Sequence, residues 1–360
     1  MTKPWQKNLI KIEPYTAGEQ PKSADIIKLN ANENPYPPSP KVLQAIKDFD
    51  AGSLRLYPPM DAAPFRRAVA EFYGLEPQWV FAGNGSDDIL ATAFRAFFNS
   101  DEPILYPDIT YSFYPVWCEL LRVPYRTIPV DGEFRVHLED YYVPNGGIVL
   151  PNPNAPTTIG LGLGEIEELL KHNTDSIVII DEAYADFSEV SCVPLIKKYE
   201  NLVVTQTLSK SRSLAGMRAA VALADPYLIK YLDAVKDSYN SYPVDAVAIR
   251  AACAAFEDRE YFEETCRRVI ATRERTAAAL RGLGFVLPDS STNFLFATHP
   301  DHKAEDIFLF LREKGIYIRY FKKPRIDGYL RITIGTDEQM DKLIAALSEL
   351  IAVNNQEQKL

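Results

Sequence analysis

The sequence predicts an α/β protein: a mainly parallel, doubly wound sheet, followed by a smaller α+β domain and preceded by an irregular arm. Three observations lead there. Apolar runs at 147–150, 176–180 and 202–204 have the length and composition of buried strands. Strands alternate with helical segments as far as these runs, the alternation that gives a parallel sheet covered on both faces. From Asp225 the character changes to a long helical region and then to short strands and helices. The expected division is an arm at 1–40, a large domain at 41–243 and a small domain at 244–360.

In chain order, the arm carries prolines at 4, 14, 21, 35, 37, 38 and 40, too many for a packed helix or central strand. A short helix is expected at 41–49. Another follows at 64–73, with Phe65, Ala68, Val69 and Phe72 on one face. The turn Gly83-Asn84-Gly85-Ser86 feeds a helix running to about Phe98. Free amides at such a start bind anions. Residues 102–106 read as a strand ended by Pro107, and 111–121 as a helix. Strands follow at 147–150, 177–181, 202–206 and 219–223. Helices are expected at 227–239 and over 244–283, the latter with a break near Glu257. The remainder reads as strands at 285–287 and 293–296, a helix at 303–314, strands at 316–319 and 329–334, and a helix at 338–353 before a polar, frayed tail.

Composition bounds the function. The 360 residues suffice for a large core and more than one domain. The 47% hydrophobic and 24% charged content is that of a globular protein. A net charge of −10 argues against nucleic acid as a partner, while leaving room for a local basic pocket. No run approaches the roughly 18 apolar residues of a membrane span. The start Met1-Thr2-Lys3-Pro4-Trp5 lacks an apolar signal core. A cytoplasmic protein without a membrane partner is expected. Cys118, Cys192, Cys253 and Cys266 have no CxxC spacing and read as reduced packing residues. His299 and His302 flank Pro300 and have no third ligand nearby, so no metal is expected.

Two stretches carry chemistry. After the strand at 202–206 come Thr207, Ser209, Lys210 and, eight residues on, Arg218. A lysine just past a buried strand can be partly desolvated, which lowers its pKa and makes it a nucleophile. The hydroxyls and Arg218 supply the donors and charge a phosphate needs. A Schiff-base lysine beside a phosphate cradle is what pyridoxal phosphate requires. Read alone, the same residues also suit a solvated surface turn. The strand at 177–181 ends in Asp181, where open α/β sheets place ligands. A carboxylate there can keep a pyridine nitrogen protonated, and Tyr184 can hydrogen-bond the ring's phenolic oxygen. Asp181 as a helix cap is the other reading.

With these stretches the chain resembles the fold-type I pyridoxal phosphate enzymes, the aspartate aminotransferase superfamily, and more closely its histidinol-phosphate aminotransferase family. The resemblance runs from Leu29-Asn30-Ala31-Asn32-Glu33-Asn34-Pro35 to Leu330-Arg331-Ile332-Thr333-Ile334-Gly335. It implies a cofactor site of Ser86, Asp87, Tyr111, Asn154, Asp181, Tyr184, Thr207, Ser209, Lys210 and Arg218, with Tyr57 reaching the phosphate in the partner of a homodimer. Tyr111 would stack on the pyridine ring. Asp87 would offer its backbone and turn its carboxylate outward, and Asp88 stands where the family usually has Glu. The family usually has Asn at 155 and Gly at 158. Here Ala155 and Thr158 stand there, so the amide role falls to Asn154, with Asn152 as the fallback. Tyr15, Asn32, Arg319 and Arg331 are the implied substrate contacts, the two arginines holding a substrate phosphate.

The implied activity is transamination of L-histidinol phosphate with 2-oxoglutarate to give imidazole acetol phosphate and glutamate, in histidine biosynthesis. A threonine-phosphate decarboxylase or an aromatic amino acid aminotransferase shares every cofactor motif and is the alternative. A regulator on the same fold would need an added DNA-binding domain. A nicotinamide dehydrogenase would need a GxGxxG between strand and helix, which is absent.

Overall fold

The computed structural model describes residues 3–16, 18–21 and 26–357. Its first half comprises β1 (Ile27–Lys28), α1 (Pro40–Lys47), α2 (Ala63–Tyr73), β2 (Val80–Gly83), α3 (Ser86–Phe97), β3 (Ile104–Pro107), α4 (Tyr114–Leu121), β4 (Tyr125–Ile128), β5 (Gly147–Pro151) and α5 (Leu163–His172). Then come β6 (Val178–Asp181), β7 (Leu202–Thr207), β8 (Ala220–Ala224), α6 (Pro226–Tyr239), α7 (Ala246–Glu257) and α8 (Arg259–Gly282). The chain closes with β9 (Phe294–Ala297), α9 (Ala304–Glu313), β10 (Ile316–Tyr317), β11 (Arg319–Tyr320), β12 (Leu330–Thr333) and α10 (Asp337–Glu357).

Seven strands form the main sheet in the order β2-β8-β7-β6-β5-β3-β4. All pairs are parallel except those of β8, which runs antiparallel to both neighbours. Both faces are buried, and the side chains divide by the two-residue period of a strand. Val178 and Ile180 join one apolar layer with Leu150 and Val204, while Ile179 joins the other with Val149 and Val203. Each such side chain contributes about 1.5–3 kcal/mol by leaving water. Helix starts follow local chemistry. Ser39 Oγ accepts from Val42 N, Asp225 from Tyr227 N and Asp245 from Ala248 N, with Pro40 and Pro226 in the first turns of their helices.

Several elements differ from expectation. The helix expected from Tyr111 begins at Tyr114, where Pro115 suits the first turn. β4 carries no apolar run: Tyr125, Arg126 and Thr127 are exposed on this edge strand. α5 was not evident in the sequence pattern. Residues 285–287 make only one bridge, Val286 to Thr298. The expected 316–319 strand is split, because β10 pairs with β1 and β11 with β12. The arm is therefore not wholly irregular, since its β1 is tied to β10. The expected frayed tail is helical through Glu357, and its last three residues lie outside the described residues.

Packing does not divide at residue 243. Val244 and α7 lie in the large apolar core, with α7 against α1 and α2, whereas Val269, Ala277 and Leu280 of α8 lie in the smaller one. Leu29 of the arm belongs to the smaller core as well. Among the described residues no helix is long and apolar enough to cross a membrane, and no group of three or more His, Cys, Asp or Glu could hold a metal.

Candidate active site

A cavity of about 300 Å³ opens at the carboxyl ends of β5, β6 and β7, the edge where parallel sheets place ligands. All the site residues expected from the sequence line it except Tyr57 and Asn154.

Lys210 follows β7 in a loop closed by backbone hydrogen bonds from Leu208 N to Ala219 O and from Leu214 N to Leu208 O. Asn34 Nδ2 donates to the carbonyls of Lys210 and Ser211 at 3.0 and 3.1 Å, pinning the loop to the arm. Lys210 Nζ donates to Ala31 O at 3.2 Å. Burial first, then the positive charge of Arg331, pushes its pKa down to about 8. Asp181 ends β6 and is 5% exposed. Tyr114 donates to its Oδ2 at 2.9 Å and Thr205 to its Oδ1 at 3.2 Å. Burial nevertheless raises its pKa to about 6. No cation of the described residues makes an ion pair with it.

Gly85 has φ +83°, and its amide precedes the start of α3. A Cβ there would stand 2.6 Å from Arg218 Nη2. Arg218, itself at φ +51°, reaches Ser209 Oγ at 3.5 Å and Asp87 Oδ2 at 3.5 Å. Asp87 does not turn outward as expected. It also accepts from Tyr111 Oη at 2.9 Å, so its carboxylate fixes two cavity side chains. The outward cap is Asp88, which accepts from Asn84 N at 2.8 Å. We expect Gly85→Ala to fold yet weaken pyridoxal phosphate binding at least about tenfold, because both the positive φ and the closeness of Arg218 oppose a side chain. Titration of the cofactor-free protein measures this.

Asn154 requires correction. It is 3% exposed and its amide is committed: Nδ2 donates to Ile109 O and Thr157 Oγ1, and Oδ1 accepts from Thr110 Oγ1. The fallback, Asn152, is committed to the backbone of Leu161 at both ends. Ala155 lines the cavity in their place, and Thr158 occupies a backbone at φ +71°. Asn32 lines the cavity but is 1% exposed, with its amide held by Tyr184 and Thr333 rather than free for a substrate. Tyr57 lies outside the cavity, 82% exposed and stacked on Tyr242 at 4.6 Å.

Across the cavity, Arg319 and Arg331 face each other in register on β11 and β12. Arg331 donates to Asn30 O at 2.7 Å, but its buried Nε has no partner. Neither arginine makes an ion pair with a described residue. Tyr15 stacks on Phe113 at 4.7 Å beside Tyr111 and covers this side. Tyr114 and Thr205 were not expected; Tyr114 meets Asp181 because α4 packs on the sheet face that carries Ile179, and Thr205 meets it because β7 pairs in register with β6.

The residues present fit pyridoxal phosphate. A buried carboxylate without a cation suits a ring nitrogen that carries a proton. A lysine with a lowered pKa suits an aldehyde. The Gly85 turn with Ser86, Ser209 and Arg218 suits a phosphate.

The fold and site define a class. The profile of the family "Aminotransferase class I and II" matches residues 24–347, and the chain belongs to that family. Within it the chain falls among the histidinol-phosphate aminotransferases. It is 53% identical to that enzyme of Acinetobacter baumannii over 96% of each chain, and 50% identical to that of Pseudomonas putida over 97% of this chain and 100% of the other. The fold is that of the histidinol-phosphate aminotransferase of Clostridium acetobutylicum (TM-score 0.84, 21% identity, 91% of this chain and 99% of the other). It is also that of the Sinorhizobium meliloti enzyme solved with pyridoxal-5'-phosphate (TM-score 0.82, 23% identity, 91% of each chain).

Proposed function

We infer that this chain transfers the amino group of L-histidinol phosphate to 2-oxoglutarate, giving imidazole acetol phosphate and glutamate for histidine biosynthesis. The observation that carries the choice of substrate is the pair Arg319 and Arg331, opposed in register and neither of them ion-paired with a described residue. The charge of Arg319 acts on Arg331 and helps to lower its pKa, so an anion between the two is favoured, and a phosphate satisfies both.

Bound pyridoxal phosphate supplies an aldehyde that captures amines and a ring that accepts the electron pair left when the substrate proton departs. The chain's residues do the rest. Lys210 Nζ holds the cofactor, then takes the substrate proton and returns it. Asp181, positioned by Tyr114 and Thr205, keeps a proton on the ring nitrogen. The amide of Ser86, the hydroxyls of Thr207 and Ser209, and Arg218 bind the cofactor phosphate, while Asp87 holds Arg218 and Tyr111 in place. Tyr15 and Phe113 exclude water above the substrate. The enzyme acts in the cytoplasm as a homodimer in which Tyr57 reaches the partner's site. Leu54, Leu56 and Met60, near Tyr57 in the sequence, and Tyr242, which stacks on it, are exposed apolar side chains suited to a partner.

The test is a half-reaction panel: histidinol phosphate, phenylalanine and threonine phosphate, each mixed separately with loaded enzyme while the cofactor's visible absorbance is followed. Histidinol phosphate should bleach it fastest; preference for either of the others overturns the assignment. Arg319→Gln should raise KM for histidinol phosphate about 10- to 100-fold with a smaller effect on kcat, the loss of one charge-assisted hydrogen bond. The Arg319 side chain makes no hydrogen bond or ion pair with a described residue, so this change should leave the fold intact.

A further inference from the structure

The cavity presents a hydroxyl whose proton direction is set from behind. Tyr184 Oη accepts from Asn32 Nδ2 at 2.9 Å, and among the described residues nothing accepts the Tyr184 proton. Burial keeps this phenol protonated, raising its pKa against the lowering effects of Arg331 and Asn32. Asn32 is itself fixed. Its backbone N–H donates to Thr333 Oγ1 at 3.0 Å, Thr333 Oγ1 donates back to Asn32 Oδ1 at 3.0 Å, and Asn293 Nδ2 donates to Asn32 O at 3.1 Å. Its backbone sits at φ +56°, which asparagine tolerates better than most residues.

These bonds settle which end of the amide meets Tyr184. Thr333 is 2% exposed. Its hydroxyl uses a lone pair on the Asn32 N–H and its proton on Asn32 Oδ1. Turning the amide over would leave that buried proton without an acceptor, which is costly. Nδ2 therefore faces Tyr184, and a phenol that accepts there must send its own proton elsewhere. The open direction is the cavity, where Lys210 Nζ lies 5.8 Å from the Tyr184 ring centroid. The amides on the opposite wall cannot share the task, since Asn152 and Asn154 are committed and Ala155 has no polar group.

We propose that Asn32, locked by Thr333, is a positioning residue that makes Tyr184 a hydrogen-bond donor into the cavity, serving the phenolic oxygen of the bound cofactor. This rests on the pyridoxal phosphate reading above. A donor there makes that oxygen less basic and lowers the pH at which the lysine-bound cofactor loses its proton.

The experiment is a cycle of wild type, Asn32→Ala, Tyr184→Phe and the double variant, all loaded with cofactor and titrated by visible absorbance against pH. Asn32→Ala should raise the midpoint by about one pH unit, and Tyr184→Phe at least as much. In the Tyr184→Phe background, Asn32→Ala should add almost nothing, which a merely structural role would not give. Thr333→Val, which frees the amide without touching the cavity wall, should shift the midpoint in the same direction by a smaller amount, and it decides the matter if Asn32→Ala does not fold. A shift by Asn32→Ala of equal size in both backgrounds overturns the proposal, as does a wild-type midpoint in both Asn32→Ala and Thr333→Val. A wild type that never forms a visible band on Lys210 would instead overturn the cofactor reading beneath it.

Discussion

Lys210→Ala should fold, still bind pyridoxal phosphate and lose turnover by on the order of 10⁴-fold. The side chain is asked to do two things, hold the cofactor and carry the substrate proton, and alanine does neither. Among the described residues its amine donates only to Ala31 O, so truncation removes one hydrogen bond that a water can replace. Borohydride treatment of the wild type followed by peptide mass mapping should find the cofactor on Lys210; finding it on another lysine sinks the assignment. The pH dependence has a defined sign. Because burial and Arg331 lower the amine's pKa to about 8, its neutral, nucleophilic form grows as pH rises through 8. Capture of pyridoxal phosphate by the cofactor-free protein should accelerate with pH and level off above about 9, as stopped-flow absorbance can follow.

Asp181→Asn should keep the fold and lose on the order of 10³-fold in rate, because a neutral amide cannot hold the charge of a protonated ring nitrogen. Near-normal activity would remove Asp181 from the mechanism. The same change should act in the opposite direction on the stability of the cofactor-free protein. Burial raises the Asp181 pKa from 3.8 to about 6, so the native state holds its proton more tightly than the unfolded chain does. Its contribution is intact below about pH 4 and is lost as pH rises through 6, approaching roughly 3 kcal/mol by pH 8. Cofactor-free Asp181→Asn should therefore match or exceed wild type in stability at pH 8, and the advantage should shrink toward pH 4. Glu182, also buried and raised to about 7, titrates in both proteins, so the difference between them isolates Asp181. Denaturant midpoints at the two pH values measure it.

What could be read in the sequence was whatever a local pattern encodes. The buried runs that became β5, β6 and β7 are apolar because both faces of a parallel sheet are covered. Asp181, Thr207 and Lys210 stand at their carboxyl ends because the chain leaves the sheet there. The break between α7 and α8 was visible near Glu257. Arg319 and Arg331 were recognisable as a pair because two short strands carried them.

The rest depended on contacts between distant segments. The sequence could not place Tyr114 on Asp181, since that hydrogen bond joins residues 67 positions apart through the packing of α4 on the sheet. It marked Asn154 as a free amide, yet Thr110, Ile109 and Thr157 use all of it. It offered Asn32 to a substrate, yet Thr333, 301 positions away, and Tyr184 hold both ends of its amide. Residue type tells which hydrogen bonds a side chain is able to make. Only the tertiary fold decides which of them are already made, because a buried polar group must be satisfied by whatever the folded chain brings beside it.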